Sequence, residues 1–405
     1  MNPRTTTKTT TRESTGCGFV FGFALLAIGL FFLFMNEGNA VRQHTALEEG
    51  LALVVEYEPE GKQSFESKLV HMAGRLTTQN DRESPIVVDA EFGIAARGVY
   101  LHRIVEMLQW EEVRHDHTYT ENGQEKTDTT YSYKKTWSAE RIDSDRFEDA
   151  SYVNPVRWAY TSKKIPAPSV YLQNHRVPPS LLDKIKTRSD VSLGRDNLLQ
   201  MASILELQFG IKQEIQAIPA LKQFNVDHDQ FISRRTKWPS DRASIGDMRI
   251  RFELSPAAAV SVVAMPFDSE LHPYRTKNGE SVALLEEGIV DAKTMFENER
   301  SNVTTMAWVV RLIGLVIVSL GYYILLQPVV DIAHKFSGVP LLGQFIITIV
   351  SRSVEVMSGL LGLSTTLIVI AIAWVYYRPL VAFGLFVVAI TPYFGMRKKP
   401  AKSEI

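Results

Sequence analysis

Four stretches of this chain carry almost no charge, and all four lie near its ends. Cys17–Met35 runs 19 residues without a charge. Ala307–Leu326 runs 20 with only Arg311, Met357–Tyr376 runs 20 with none, and Pro379–Gly395 runs 17 with none. About 20 apolar residues in a helix cover the ~30 Å of hydrocarbon in a bilayer. Each segment is therefore expected to span. Cys17–Met35 reads as a retained anchor rather than a cleaved signal. Its bulky end, Phe31-Phe32-Leu33-Phe34-Met35, meets Asn36-Glu37-Gly38 directly, and Asn39-Ala40 makes a poor cleavage site. Only Tyr377-Arg378 separates the last two segments, so they read as a tight hairpin with Pro379 at a helix start.

Averages hide this organisation. The 405 residues have a net charge of −1 and a mean hydropathy of −0.04. That balance argues against general disorder and against whole-chain nucleic-acid binding. The single cysteine, Cys17, excludes an intramolecular disulfide framework and a cysteine zinc site. Charge is unevenly placed. Residues 1–16 carry three bases and one acid, and residues 301–405 carry eight bases and three acids. The block between them has 41 acids and 33 bases. Basic ends favour the cytoplasm, and four spans return the chain to the side it started from.

The expected layout is thus a cytoplasmic tail at 1–16, spans at 17–35, 307–326, 357–376 and 379–395, and a basic cytoplasmic tail at 396–405. Residues 36–305 form an exoplasmic domain, in the periplasm or an organelle lumen. That block is expected to be α+β with mostly antiparallel strands. Met248, Ile250, Phe252 and Leu254 alternate with Arg249, Arg251 and Glu253, and Tyr131, Tyr133, Lys135 and Trp137 alternate with polar residues. Further strands are expected at Lys68–Leu76, Ile86–Val88 and Val260–Met265, and a hairpin turn at Asn122-Gly123. Leu181–Gln216 reads as helical. Leu47-Glu48-Glu49-Gly50 and Leu285-Glu286-Glu287-Gly288 match each other and suggest two halves of one domain.

Chemical motifs are sparse. There is no nucleophile elbow, phosphate-binding loop, zinc-protease pair or EF-hand loop. His115-Asp116-His117 and Asp227-His228-Asp229 sit in polar runs and read as ordinary surface rather than metal ligands. No cofactor and no catalytic residue is expected. Asn302-Val303-Thr304 matches a glycosylation sequon but lies too close to the next span for easy access.

The membrane region offers more. On a helical wheel of 339–356, Leu342, Phe345, Ile346, Ile349, Val350 and Val354 share one face. Gln344, Thr348, Ser351, Arg352 and Glu355 lie opposite. This is expected to be an amphipathic helix in the interface plane, the alternative being a re-entrant or buried helix. Arg352 and Glu355 are spaced to pair. Arg311, one turn inside its span, either snorkels or makes a polar contact in the bundle. Arg378 marks the last hairpin. Arg311, Leu342, Ile346, Ile349, Arg352, Glu355 and Arg378 are the candidate interface and bundle-packing residues.

The layout and local sequences resemble the transmembrane protein 43 (LUMA) family. The similarity rests on Asn36-Glu37-Gly38 with Leu47–Leu51, Val105–Trp110, Tyr131–Trp137, Gly246–Arg249, Thr276–Gly279 and Tyr377–Leu380. The match is weakest across about Pro155–Gln230. The resemblance implies a non-enzymatic membrane scaffold that self-associates and organises other membrane proteins. In a eukaryotic cell it implies the endoplasmic reticulum and inner nuclear membrane, with lamins and emerin as partners. In a bacterium it implies the inner membrane. The competing reading is a membrane-anchored sensor or enzyme with a ligand in the exoplasmic domain.

Overall fold

The computed structural model describes residues 4–8, 17–58, 65, 67–79, 83–121, 124–193, 197, 201, 206, 224–227, 230–233, 243–336, 339, 342–380 and 382–384. Three long helices dominate one end: α1 (Cys17–Leu53), α2 (Ala292–His334) and α3 (Leu342–Tyr377). All three are long and apolar enough to cross a membrane. At 1.5 Å per residue they measure about 55, 64 and 54 Å, far more than hydrocarbon alone requires.

The helices run past the apolar stretches that are expected to span. Three candidate spans, not four, lie among the described residues. Pro379–Gly395 falls mostly outside them. What is described there is a new helical turn, in which Ala382 N–H donates to the Arg378 carbonyl at 3.0 Å. Proline at its first position loses no hydrogen bond. The amphipathic segment is not a separate helix: from Leu342 it runs into Met357–Tyr376 without a break. Arg352 and Glu355 interrupt the apolar run but pair at 2.9 Å, and paired charges do not end a helix. Nor does α1 stop at Met35 or α2 begin at Ala307. Both continue into the domain, where Asp291 caps α2 by accepting from Thr294 N–H.

The helices pack through their smallest residues. A Cβ on Gly22 would stand 3.2 Å from the Gly321 carbonyl, and one on Gly314 would collide with Leu33. One on Gly362 would come within 2.9 Å of the Ser319 backbone. Ser358, Gly362 and Thr366 form a buried row at four-residue spacing on α3. Such rows let backbones approach in lipid. Gly359 faces open space, so its partner in close packing is none of the helices.

Among the described residues the domain is strand-rich and mostly antiparallel. One eight-stranded sheet is built around Tyr100–Glu121, which pairs with Gln124–Ser138 on one side and Met248–Ser255 on the other. Its register sets Glu121 opposite Gln124, so the expected turn residues Asn122 and Gly123 lie between them and outside the described residues. A seven-stranded sheet centres on Ala259–Phe267, paired with Val70–Arg75 and Leu284–Glu287. Met248, Ile250 and Phe252 are buried as alternation requires. They join Phe92, Phe231 and Leu101 in the main core.

Leu181–Gln216 is corrected in its described part. Pro179–Leu182 is a single helical turn, and Ser189–Asp190 is a strand pairing with Met248–Ser255. The remainder of that segment lies largely outside the described residues. The two Leu-Glu-Glu-Gly copies are unrelated in structure. The first is helical, while the second closes a strand and turns at Gly288 with φ +97°.

Arg4–Lys8 adds an edge strand antiparallel to Gln124–Ser138, with Arg4 opposite Tyr131 and Lys8 opposite Thr127. This departs from a free tail at 1–16. The pairing and a bilayer around Cys17–Met35 exclude one another, because the strand would share a side with the domain.

Candidate functional site: a polar clasp where the helices meet the domain

The candidate site lies at the domain-facing end of the apolar segments. Here α1 runs antiparallel to α2 and parallel to α3. Glu37 stands two residues past the apolar run of α1 and is 2% exposed. Arg311 reaches it from α2 with Nε to Oε1 at 2.7 Å and Nη2 to Oε2 at 2.8 Å. Trp374 of α3 donates its Nε1–H to Glu37 Oε2, also at 2.8 Å. One carboxylate therefore accepts from both other helices. The paired fork geometry fixes orientation as well as distance. Arg311 also stacks over Trp308 at 4.6 Å.

Neighbouring contacts brace the clasp. Asn36 Nδ2 donates to the Ala307 carbonyl at 3.2 Å. A Cβ on Gly38 would meet the Tyr377 ring at 2.5 Å, and Phe34 packs on Tyr376 and Tyr377. Arg378 is half-buried and close enough for its charge to act on Glu37 and His44. Each Glu37 oxygen thus accepts from at least one donor, and the carboxylate ties the three helices together.

The expected site residues separate into two groups. Arg311 and Arg378 belong to the clasp region. Leu342, Ile346, Ile349, Arg352 and Glu355 lie at the far end of α3. Leu342 and Ile349 are exposed, Ile346 is half-buried, and Arg352 and Glu355 pair on the surface. Glu37 and Trp374 were not among the expected residues. A signal did exist: an acid just after one span and a base just inside the next stand at matching depth in antiparallel helices.

Above the clasp the helices enter the domain. Lys277 N–H donates to Glu49 of α1, and Asn278 Nδ2 donates to the Arg42 carbonyl at 2.8 Å. Arg300 pairs with Glu48 at 3.1 Å. Ala46, Leu47, Met295 and Phe296 share a buried cluster with Leu69, Val263, Val282 and Leu284 of the domain.

The histidine motifs do not converge. His115 and His117 share one face of a strand and Asp116 the other. Asp116 is held by Arg114 and Thr129, at 2.8 and 2.7 Å. Among the described residues no group of three His, Cys, Asp or Glu is placed to hold a metal ion. Asp227 ends a strand, and His228 and Asp229 lie outside the described residues.

Comparison with known proteins agrees with this architecture. The sequence profile described as Transmembrane protein 43 matches residues 107–379. Transmembrane protein 43 of Mus musculus and that of Homo sapiens are each 28% identical over 96% of this chain and 92% of their own length. The Transmembrane protein 43 homolog of Drosophila melanogaster is 24% identical over 92% of each chain. No solved structure matches. With more than half its length inside the profile and relatives aligned nearly end to end, the chain belongs to the transmembrane protein 43 family.

Proposed function

We propose that this protein is a non-enzymatic, self-associating membrane scaffold that presents its domain at a fixed height above the bilayer. One observation carries the reading: α1 and α2 pass from the apolar segments into the domain core without a break. A tethered enzyme gains nothing from a rigid stalk, whereas a scaffold that positions partners does. The exposed apolar row Leu342, Phe345 and Ile349 on α3 offers a surface for a second copy. Family membership supports the endoplasmic reticulum and inner nuclear membrane in a eukaryotic cell, with lamin- or emerin-like partners, and the inner membrane in a bacterium.

The proposed topology has four spans, with Pro379–Gly395 as the fourth and both termini cytoplasmic. It requires that Arg4–Lys8 leave the domain sheet. The magnitudes favour that outcome. Twelve Leu, Ile, Val or Phe residues in Cys17–Met35 contribute roughly 4–7 kcal/mol to insertion. A five-residue edge strand gains about 1 kcal/mol per hydrogen bond and loses a similar or larger amount in ordering its backbone.

Two measurements test the proposal. Reporter fusions before Cys17 and at Lys402 should read cytoplasmic and one at Asp227 exoplasmic; opposite readouts for the termini reject the fourth span. A cysteine at Ile349, in a Cys17→Ser background, should crosslink copies in native membranes. A chain that stays monomeric at every expression level rejects self-association.

A further inference from the structure

Beside the stalk lies a cavity of about 470 Å³ bordered by Lys184, Lys186, Glu286, Glu299, Asn298 and Asn302. A smaller cavity of about 190 Å³ shares Lys184, Leu284 and Glu299 with it. Asn302 precedes Ala307 by five residues and Asn298 by nine. At 1.5 Å per residue these lie about 7 and 13 Å outside the hydrocarbon edge, at the outer margin of the ~5–7 Å headgroup layer and about 6 Å beyond it.

Most polar groups of the wall are already engaged. Glu286 accepts from Asn298 at 3.1 and 3.2 Å. Glu287 accepts from the backbone N–H of Lys186 and Thr187 at 2.7 and 3.0 Å. Lys184 Nζ donates to the Ala283 carbonyl at 2.6 Å. Two charges are left with capacity. Among the described residues the Lys186 ammonium makes no hydrogen bond or close ion pair, although its charge acts on Glu287, and Glu299 is touched there only by a long 3.4 Å contact from Asn302. They stand on different walls, one on a loop of the domain and one on α2. A cation and an anion held apart in one cavity match a zwitterion.

The lining also discriminates between zwitterions. Recognition of a quaternary ammonium relies on aromatic faces, and neither cavity is lined by an aromatic residue. A primary ammonium instead needs hydrogen-bond acceptors, which Glu299 supplies. We propose that this cavity binds the phosphoethanolamine headgroup of a membrane phospholipid, with phosphate at Lys186 and ammonium at Glu299. The proposal rests on the membrane placement of α1 and α2, which alkaline carbonate extraction checks separately.

The test uses the full chain purified in detergent, titrated with dihexanoyl-phosphatidylethanolamine, its choline and glycerol counterparts, and soluble glycerophosphoethanolamine. Binding is read by native mass spectrometry and thermal shift. The expected result is one bound ethanolamine lipid, at least about tenfold tighter than the choline or glycerol lipid, with the soluble headgroup weaker than the lipid. Lys186→Glu and Glu299→Lys should each reduce that binding at least about tenfold with little change in the unliganded melting temperature. Glu299→Gln should narrow the ethanolamine preference while leaving phosphate contact. Equal binding of ethanolamine and choline lipids, or full binding by both charge-reversal variants, overturns the proposal. Soluble headgroup binding as tightly as lipid overturns the membrane source.

Discussion

The bundle and the domain are packed by opposite rules. In the domain the largest side chains are innermost: Phe92, Phe231 and Phe252 are fully buried, with rings 5.6–6.1 Å apart. In the bundle the inner positions include Gly22, Gly29, Gly314, Gly321, Ser358 and Gly362, into which Leu33 and Val318 pack, while Phe21, Phe31, Leu312, Leu360 and Leu367 point outward. Water makes burial of apolar area the main driving force, so the domain hides its bulk. Lipid tails are as apolar as leucine, so helices in a bilayer gain from backbone approach and polar contacts instead. The inverted pattern marks where one solvent gives way to the other, and the Glu37 clasp sits at that boundary.

The comparison breaks most visibly at a core ring. Phe92→Ala should cost about 3–5 kcal/mol through lost burial and a residual cavity. Thermal unfolding of the purified chain would show it as a lowered melting temperature for the domain transition. A loss below ~1 kcal/mol would mean that this core collapses easily and that the contrast with the bundle is overstated.

Each region also sets an arginine against a buried acid. Arg103, 5% exposed, pairs with Asp89 at 3.1 Å, contacts Glu91 and stacks over Phe92. Arg311 forks onto Glu37. Removing one member of a buried pair strands the other, at a cost of about 3 kcal/mol or more. Arg311→Ala should therefore loosen all three helices, read as faster proteolysis of the stalk between Asn36 and Leu53. The double change Glu37→Gln, Arg311→Met should recover much of the loss, because no charge is left unpaired. If the double variant is as damaged as the single one, the clasp is a packing contact rather than an ion pair.

Small residues come next. Gly362→Val should cost about 1–3 kcal/mol by overpacking, since Ser319 leaves no room for a side chain. Gly359→Val should be silent, because open space surrounds Gly359. Disulfide trapping between α2 and α3 would report both. Equal effects would mean that α3 is rotated relative to α2.

These two glycines also show how far sequence reasoning reaches. The pair at 359 and 362 is visible in the sequence, but three-residue spacing hides that only Gly362 faces a helix. Its real row, with Ser358 and Thr366, is recognisable only once the facing helix is known. Strand alternation at Met248–Leu254 was legible because one face meets water and the other meets the core, which writes a period of two into the sequence. The helix ends were not legible. Hydropathy reports where lipid ends, whereas capping and packing decide where a helix ends. α1 therefore passes Met35, and α3 passes the Arg352–Glu355 pair. Arg311 stood out as a charge in an apolar run. Glu37 did not, because an acid just outside a span looks like any solvated residue until its partner is placed.

The domain offers a pH handle at Asp89. Burial, only partly offset by Arg103, pushes the Asp89 carboxyl above its ordinary value of 3.8. The folded state thus holds its proton more tightly than the unfolded chain does. The resulting stabilisation is complete below the unfolded value and is lost as pH rises through the raised folded value. Asp89→Asn should flatten this part of the stability–pH curve, and an unchanged slope would assign the dependence to another group.

The smallest expected effect decides what covers the outer face of the bundle. Leu367 is more than half exposed on α3, next to Thr366 and five residues after Gly362 on the packed side. Against lipid, Leu367→Ala exchanges one apolar contact with acyl chains for another, so stability should change by less than about 0.5 kcal/mol. Against a second copy, the same truncation would open a gap in a protein interface, and a cost nearer 2 kcal/mol would follow. Measured as dimer fraction in bilayers of fixed protein-to-lipid ratio, Leu367→Ala and Ile349→Ala should then diverge. Loss of dimer with Ile349→Ala alone places self-association on the far end of α3, beyond the hydrocarbon, where apolar surface regains its value because water is present. Loss with Leu367→Ala places it within the bilayer, where only close fit can hold two copies together.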